Sequence, residues 1–270
     1  MRSLMFFRQY SAMVFLSLLT APILKGQNFF WPDDKKVAIV LTYDDGITSQ
    51  LETAITQLDK EEFKGTFFID GSMSDDEIIK WRQASLNGHE LGNHTIFHPC
   101  SEKTLKLHPH YLNENYDRHT IIREIDMMNS MLFAVDGKTR RTYAYPCCET
   151  VVGGKDYVDT LRTSGLVTYA RVGGGKVPVT DLKSLDLFRV PSWVATDIND
   201  PEVLIEYVEK TLKSGGLGIF QFHGVGGDYL SVSAEAHQGL LNYLKEHPDV
   251  WVGTFVEVMD FVSSYQRSIK

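Results

Sequence analysis

Two adjacent aspartates, Asp44 and Asp45, end an apolar run in the segment LTYDDG. Like charges at neighbouring positions repel each other, so the pair needs a chemical reason. A divalent metal supplies one, because one carboxylate can bind the ion while the other stays free to accept a proton. The pair alone would also fit a solvated turn, so this interpretation depends on further metal ligands elsewhere in the chain.

A histidine pair can provide those ligands. His94 and His98 are four residues apart in the segment HTIFH, and one helical turn there would place both imidazoles on one face. The spacing alone is a weak signal in a chain with 9 histidines. Two histidines and one aspartate, however, form the three-ligand set of open metal sites, which keep positions for water and substrate. We therefore expect a metal that activates water for attack on a carbonyl group.

These side chains follow predicted strands. Apolar runs predict strands that end at Asp44, near His94, at Pro146 and at His223. Helical spacings alternate with the strands in about seven strand–helix units, which predicts a parallel α/β sheet or barrel. Active sites of such folds lie at the carboxyl ends of the strands, so the four strand ends should meet at one rim. We expect one domain, residues 27–270.

The predicted helices begin at recognisable signals. Ser74 precedes three acidic residues, and Asp200 precedes Pro201 at a first-turn position. Residues 95–116 are polar and contain His and Pro, which predicts a long loop. The segment GGGK at 173–176 lacks the upstream glycine and the Ser or Thr of a phosphate loop, so we interpret it as a flexible turn. Predicted helices cover residues 47–60, 74–86, 116–133, 156–163, 201–213, 233–246 and 256–265.

Composition narrows the class of protein. The chain is 43% hydrophobic and 23% charged, as in ordinary globular proteins, and its net charge is −8. An acidic chain without a basic patch disfavours a nucleic-acid partner.

The amino terminus differs from the rest of the chain. Arg2 and Arg8 precede an apolar stretch at 12–24, and small residues follow near Gly26. This pattern predicts a signal peptide at residues 1–26, which is too short for a comfortable membrane span. An uncleaved anchor is the alternative. No other long apolar run occurs, so we expect a secreted or periplasmic mature protein without a membrane span.

Three cysteines, Cys100, Cys147 and Cys148, form no CxxC pair, which argues against a zinc–thiolate knuckle. An oxidising compartment would permit one disulfide and leave one thiol. Three unpaired buried cysteines are an equally good reading of the sequence at this point.

The order of four motifs, LTYDDG, HELGNHTIFHP, AYPC and FHG, resembles that of polysaccharide deacetylases of carbohydrate esterase family 4, the NodB homology family. The resemblance extends over nearly all of residues 27–270. It implies a distorted (β/α) barrel, usually of seven parallel strands. It also implies a metal-dependent hydrolase that removes acetyl groups from a carbohydrate polymer or oligomer. The implied metal is zinc, with cobalt or nickel as alternatives.

The resemblance assigns roles to single residues. It implies Asp44 as the general base and His223 as the general acid for the leaving group. It implies an oxyanion hole formed by the metal and the backbone N–H of Cys147. The implied metal ligands are Asp45, His94 and His98.

The third motif departs from the family pattern. Many members have Arg-Pro-Pro-Tyr there, and that arginine orients the catalytic aspartate. This chain has Ala-Tyr-Pro-Cys at 144–147. A related branch has Ala-Tyr-Pro-Tyr and supplies an arginine later in the chain. On this basis we expect Arg189, in the segment LFRVPSW, to hold Asp44; a surface or substrate-binding cation is the alternative.

The substrate side of the site is less defined. We expect Tyr145 there beside Cys147. The family usually has leucine two residues before the histidine of the last motif, and this chain has Gln221 instead. We expect Trp193 to line the acyl pocket in its place, with Phe220 and Phe222 as alternatives.

Further expectations concern the cysteines, the substrate and the remaining histidines. Cys100 closely follows the second motif, so we expect it to form a disulfide with Cys147 or Cys148. De-N-acetylation of GlcNAc-containing glycans, such as peptidoglycan or chitin-type oligomers, is favoured over O-deacetylation of xylan. A glycan-binding protein with a vestigial site is a further alternative, and the missing third-motif arginine is its only support. Histidines expected to be structural or exposed are His89, His108, His110, His119 and His237.

Overall fold

The structure is a computed structural model that describes residues 30–269. The predicted signal peptide at 1–26 lies outside the described residues. The strands are β1 (Val37–Asp44), β2 (Thr66–Ile69), β3 (Glu90–Asn93), β4 (Thr142–Ala144), β5 (Val151–Val152), β6 (Lys155–Asp156), β7 (Tyr169–Gly174), β8 (Val190–Val194), β9 (Leu217–Phe222) and β10 (Val250–Val252).

The helices alternate with most of these strands, as the sequence predicts. The first begins with a π-helical turn at Gln50–Ala54. The α-helices are α1 (Ile55–Lys60), α2 (Asp75–Leu86), α3 (Arg118–Asp136), α4 (Val158–Ser164), α5 (Pro201–Ser214), α6 (Ala234–Glu246) and α7 (Phe255–Ser268). Among residues 30–269, none of the helices combines the length and apolar character that a membrane crossing requires.

Seven parallel strands close into a barrel in the order β1-β2-β3-β4-β7-β8-β9, and β9 pairs back onto β1. The barrel is distorted at β1. The first half of this strand, Val37–Ile39, pairs with β10, whereas its second half, Thr42–Asp44, pairs with β2. The expected distorted (β/α) barrel of about seven parallel strands is confirmed.

One of the parallel strands lies outside the barrel. β10, in the segment VWVGTF, pairs with the amino-terminal half of β1. The seventh barrel strand is β8, which pairs with β7 and β9. No helix separates β7 from β8, and Pro191 within β8 weakens its strand pattern. Gly173 and Gly174, expected in a turn, belong to β7.

Local signals account for the helix positions. Ser74 and Glu77 form a capping box at the start of α2, and Asp200 caps α5 just before Pro201. Residues 95–116 form the expected loop, with two short 3-10 turns. The residues of β1 are all buried, because helices cover the outer face of the barrel and side chains fill its interior.

Candidate active site

A cavity of about 760 Å³ opens at the carboxyl ends of the barrel strands. This volume is in the range of sites for small organic groups. The four predicted strand ends all reach it. It is lined by Asp44, Asp45, Asp70, His94, His98, Thr104, Leu105, Cys147, Cys148, Val194, Gln221, His223, Tyr229 and Leu230.

Asp45, His94 and His98 form a cluster with the composition of a metal site. Asp45 Oδ1 lies 3.2 Å from His94 Nε2 and 3.3 Å from His98 Nε2. Two ligands each about 2.1 Å from a tetrahedral zinc would be about 3.4 Å apart. Asp45 Oδ1 is also buried and has no hydrogen-bond partner among the described residues. The donor set and its spacing therefore fit a divalent metal such as zinc.

The surrounding loop aims the two imidazoles. His94 Nδ1 donates to the carbonyl of Ala144 at 2.8 Å, which leaves Nε2 as the free acceptor, as in many histidine–metal sites. The HTIFH segment is not the helical turn that the spacing suggested. Thr95 and His98 have left-handed φ values of 65° and 47°, and the His98 N–H donates to Thr95 Oγ1 at 3.0 Å. An irregular turn brings the two rings together.

The charges in this cluster affect its members differently. Burial opposes protonation of His94, but Asp44 and Asp45 raise its pKa above the usual value. Burial opposes ionisation of Asp45, but His94, His98 and His223 hold the pKa of its carboxyl well below the usual range. Burial and the neighbouring His94 lower the pKa of His98 to about 4. His98 is therefore neutral near pH 7, as a metal ligand must be.

Asp44 is held by an arginine, although not by the expected one. Arg171 on β7 donates from Nη2 to both carboxylate oxygens at 2.5 Å, and both side chains are buried. Arg189 as the partner of Asp44 is wrong. Its guanidinium is 42% exposed and pairs with Asp156. Arg189 precedes β8 and points to the outside of the barrel, whereas Arg171 points inward.

Gln221 also binds Asp44. Its Nε2 donates to Asp44 Oδ2 at 2.9 Å, and its Oε1 accepts from Ser192 Oγ at 2.9 Å. Arg171 Nη1 donates to the same Ser192 Oγ at 2.8 Å. The residue in the usual leucine position is therefore part of the hydrogen-bonded support of Asp44, and its amide is not free to face an acyl group.

The third motif places Cys147 at the cavity. Its N–H belongs to the first turn of a 3-10 segment, Pro146–Cys148, where amides have no partner within the turn. Cys147 has a left-handed φ of 50°. Its side chain forms a disulfide with Cys100. The expected bond from Cys100 to one of the two adjacent cysteines is confirmed, and Cys148 is the free thiol.

His223 follows β9 and faces the same cavity from the other side. Its Nε2 lies 3.9 Å from Asp45 Oδ2. Gln50 Nε2 donates to the backbone carbonyls of both Asp44 and His223. This bridge fixes the ends of β1 and β9 relative to each other, so the base and acid candidates share one rigid frame.

A family model described as Polysaccharide deacetylase matches residues 32–161. The aspartate pair and the two histidines of the candidate site all lie within this range. Residues 32–161 belong to the polysaccharide deacetylase family.

Individual relatives are distant. The peptidoglycan-N-acetylmuramic acid deacetylase PdaA of Bacillus subtilis (strain 168) is 29% identical over 130 residues, which are 47% of this chain and 44% of that protein. The chain spans less than half of the length of the curated relatives it matches.

Two solved structures have a similar fold. A putative polysaccharide deacetylase from Mycobacterium smegmatis has a TM-score of 0.65 and 18% identity, and the match covers 87% of this chain and 93% of that one. A family 4 pseudoenzyme from Bacillus anthracis has a TM-score of 0.51 and 19% identity, over 83% of this chain and 65% of that one. At these identities the similarity establishes the fold alone.

Two substrate-side residues expected for this deacetylase family member lie elsewhere. Tyr145 is buried outside the cavity, where its hydroxyl donates to the carbonyl of Phe188 and its ring packs on Tyr157. Trp193 packs on Tyr207 of α5, with ring centroids 5.1 Å apart. Side chains alternate along a strand, so Ser192 faces the barrel interior while Trp193 faces the helices.

Phe220 and Phe222, the alternatives to Trp193, are fully buried and stack on each other, with centroids 5.3 Å apart. Neither lines the cavity. The apolar side chains that do are Leu105, Val194 and Leu230.

Sequence reasoning missed three residues of the site. Arg171 lies on β7, and because alternate residues of a strand face the barrel interior, its position along the strand could have identified it. Asp70 directly follows β2, and burial raises the pKa of its carboxyl; a strand-end carboxylate is itself a signal. Tyr229, whose hydroxyl donates to Asp45 Oδ2 at 2.8 Å, lies on an irregular loop that carries no pattern.

The five histidines that were predicted to be structural or exposed are so. His89 and His237 are fully buried, and both make hydrogen bonds within the core. His108, His110 and His119 are exposed.

Proposed function

We propose that this chain is a metal-dependent hydrolase that removes N-acetyl groups from GlcNAc-containing glycans such as peptidoglycan or chitin-type oligomers. One observation carries the proposal. Of two adjacent carboxylates, Asp45 directs an unpaired oxygen at two imidazoles, while Asp44 is held by Arg171. The two carboxylates of one dipeptide would therefore have different roles, Asp45 as a metal ligand and Asp44 as a base.

Asp45, His94 and His98 would hold the metal. When bound, a divalent ion supplies Lewis acidity, which makes water easier to deprotonate and an acyl carbonyl more electrophilic. The side chains of this chain perform the remaining tasks.

Asp44 is placed to take the proton of the attacking water. Its Oδ2 lies 3.9 Å from His94 Nε2, so its carboxylate adjoins the ligand cluster. Arg171 Nη2 contacts both of its carboxylate oxygens and so fixes its orientation. Water then adds to the acyl carbon, and the proton it loses resides on Asp44.

His223 is placed to donate a proton to the leaving nitrogen as the C–N bond breaks, giving acetate and an amine. An amide nitrogen needs this proton more than an ester oxygen does, because an amide anion is the poorer leaving group. Cys147 lines the cavity, and its N–H would donate to the carbonyl oxygen as that oxygen gains negative charge.

Arg171 weakens the case for a vestigial, purely glycan-binding site. The absence of the third-motif arginine was the only sequence feature that favoured that alternative, and Arg171 contacts both oxygens of Asp44. O-deacetylation of acetylated xylan would use the same residues, so it is the remaining alternative reaction.

Export also belongs to the proposal. The charged and apolar pattern of residues 1–26 supports a secretory signal peptide. Polymeric glycans of the cell wall lie outside the cytoplasm, so the substrate class and the leader are consistent with each other. Edman sequencing of the exported protein should place its amino terminus near Gln27.

The test measures acetate release by zinc-reconstituted protein from GlcNAc oligomers, peptidoglycan fragments and acetylated xylan. We expect release from the N-acetylated substrates. Asp44→Asn should retain bound zinc but lose at least about 10²-fold in turnover, whereas His98→Ala should lose both zinc and turnover. His119→Ala, at an exposed histidine, is the control and should change neither.

Release only from acetylated xylan would replace the proposed reaction with its ester alternative. No release from any substrate by zinc-loaded protein would contradict the enzymatic function. Loss of zinc in Asp44→Asn would show that the roles of the two aspartates are assigned the wrong way round.

A further inference from the structure

Tyr229 combines an exposed ring with an anchored hydroxyl. The side chain lines the cavity and is 53% exposed, yet its hydroxyl donates to Asp45 Oδ2 at 2.8 Å. Asp45 itself is only 8% exposed. A half-exposed tyrosine thus reaches a nearly buried carboxylate that belongs to the candidate metal cluster.

The two oxygens of Asp45 have different surroundings. Oδ1 faces His94 Nε2 at 3.2 Å and His98 Nε2 at 3.3 Å and accepts no hydrogen bond from the described residues. Oδ2 accepts from Tyr229 and lies 3.9 Å from His223 Nε2. Tyr229 therefore donates its hydrogen bond to the oxygen of Asp45 that points away from the two imidazoles.

A carboxylate that ligates through one oxygen needs a fixed rotation about its terminal torsion, which is otherwise broad. A hydrogen bond to the other oxygen provides this restraint, and partners of this kind commonly raise metal affinity 10–100-fold. A phenol suits the task, because it donates one directed hydrogen bond and stays protonated near neutral pH.

The loop that carries Tyr229 is itself anchored. Asp228 Oδ2 accepts from the Ser49 N–H at 2.7 Å, and the N–H of Gly226 donates to the Val232 carbonyl at 2.8 Å. The first contact attaches the loop to the start of the first helical segment, close to Asp45 in the chain, and the second closes the loop on itself. Tyr229 therefore approaches Asp45 from a defined position.

We propose that Tyr229 is a positioning residue for the metal, holding Asp45 by Oδ2 so that Oδ1 faces the site between His94 and His98. The inference rests on the proposed metal site and adds a residue beyond residues 32–161, which the family model matches.

The test compares zinc affinity of Tyr229→Phe and wild type by titration of metal-free protein against a competing chelator. Phenylalanine keeps the ring and removes only the hydroxyl. We expect the dissociation constant for zinc to rise about 10–100-fold, while the thermal midpoint of the metal-free protein stays unchanged. Tyr111→Phe is the matched control, because it removes a hydroxyl from another partly exposed tyrosine that does not contact Asp45.

Equal zinc affinity in Tyr229→Phe and in a wild type that binds zinc would overturn the inference and leave the proposed site intact. A lower thermal midpoint of the metal-free variant with unchanged affinity would also overturn it, since Tyr229 would then be structural. Absence of zinc binding by the wild type would overturn both the site and the inference.

Discussion

At the residue scale, two neighbouring carboxylates become different groups because their partners differ. Asp44 meets a guanidinium, and Asp45 meets two imidazoles. Asp44 and Arg171 are 2% and 0% exposed, so water cannot solvate either charge when its partner is removed. Breaking one buried pair by removing one partner typically costs 3–5 kcal/mol, because the other charge stays buried and uncompensated.

Replacing Arg171 with Lys should therefore keep a positive charge but lose the planar guanidinium, whose Nη2 contacts both Asp44 oxygens while its Nη1 donates to Ser192. We expect a turnover at least about tenfold lower with zinc content unchanged, because Asp44 is no longer fixed in one orientation. Replacement with Met removes the charge as well as the hydrogen bonds, so turnover should fall further than in the Lys variant.

Arg189→Ala is the matched control for these Arg171 variants. Arg189 pairs with Asp156 at the surface, so turnover should stay at the wild-type value. Reduced turnover in Arg189→Ala, or wild-type turnover in Arg171→Met, would contradict the assignment of Arg171.

At the element scale, two long loops are fastened to each other beside the site. Glu149 accepts from the N–H and Oγ of Ser101 at 2.7 and 2.6 Å, and from Asn113 Nδ2 at 2.6 Å. Burial opposes ionisation of Glu149, but these donors hold the pKa of its carboxyl below the usual value. The Cys100–Cys147 disulfide adds a covalent link between the loop that carries His98 and the turn that presents the Cys147 amide.

Replacing Cys100 and Cys147 together with Ser should lower the free energy of unfolding by roughly 2–4 kcal/mol, since the unfolded chain regains the freedom of a long loop. Zinc affinity should also fall, because the loop that carries His98 is no longer held by the disulfide. Urea unfolding and zinc titration measure the two effects. Cys148→Ser keeps the disulfide and serves as control; an equal loss in this variant would contradict the assigned pairing.

At the scale of the whole molecule, buried polar contacts join the helical layer to the barrel. His237 on α6 accepts at Nε2 from the Tyr43 hydroxyl of β1 at 2.7 Å and donates from Nδ1 to Gln57 Oε1 of α1 at 2.6 Å. Burial lowers the pKa of His237 to about 3. The neutral ring uses both nitrogens, so protonation would break one of these contacts.

This contact makes stability depend on pH. The unfolded chain takes up a proton near pH 6.5, whereas folded His237 resists it down to about pH 3. The stabilisation is therefore complete above pH 6.5 and is lost as the pH falls, by about 1.4 kcal/mol per pH unit. His237→Gln should have a flatter decline of unfolding free energy between pH 6.5 and 4.

Urea unfolding at a series of pH values measures this slope. His89, whose pKa burial lowers to about 4, contributes in the same direction, so the slope should decrease without vanishing. The exposed His119→Gln is the control and should keep the wild-type slope. An unchanged slope in His237→Gln would contradict the role given to His237.

The sequence pattern was sufficient to predict which residues lie at the ends of strands. The alternation of apolar strands and helical spacings predicted the barrel, and helix starts at Ser74 and Asp200 followed from capping chemistry that acts within four residues. The motif order predicted the gathering of Asp44, Asp45, His94, His98 and His223, because parallel strands bring their carboxyl ends to one rim.

The pairs of side chains that meet across the barrel depend on the tertiary structure. Asp44 and Arg171 are 127 residues apart, and Asp45 and Tyr229 are 184 apart. Their contacts require a particular strand register and a particular path of irregular loops, and a local pattern carries neither. Arg189 therefore matched the expected position yet faces solvent, Arg171 had only its strand parity as a signal, and Tyr229 had none.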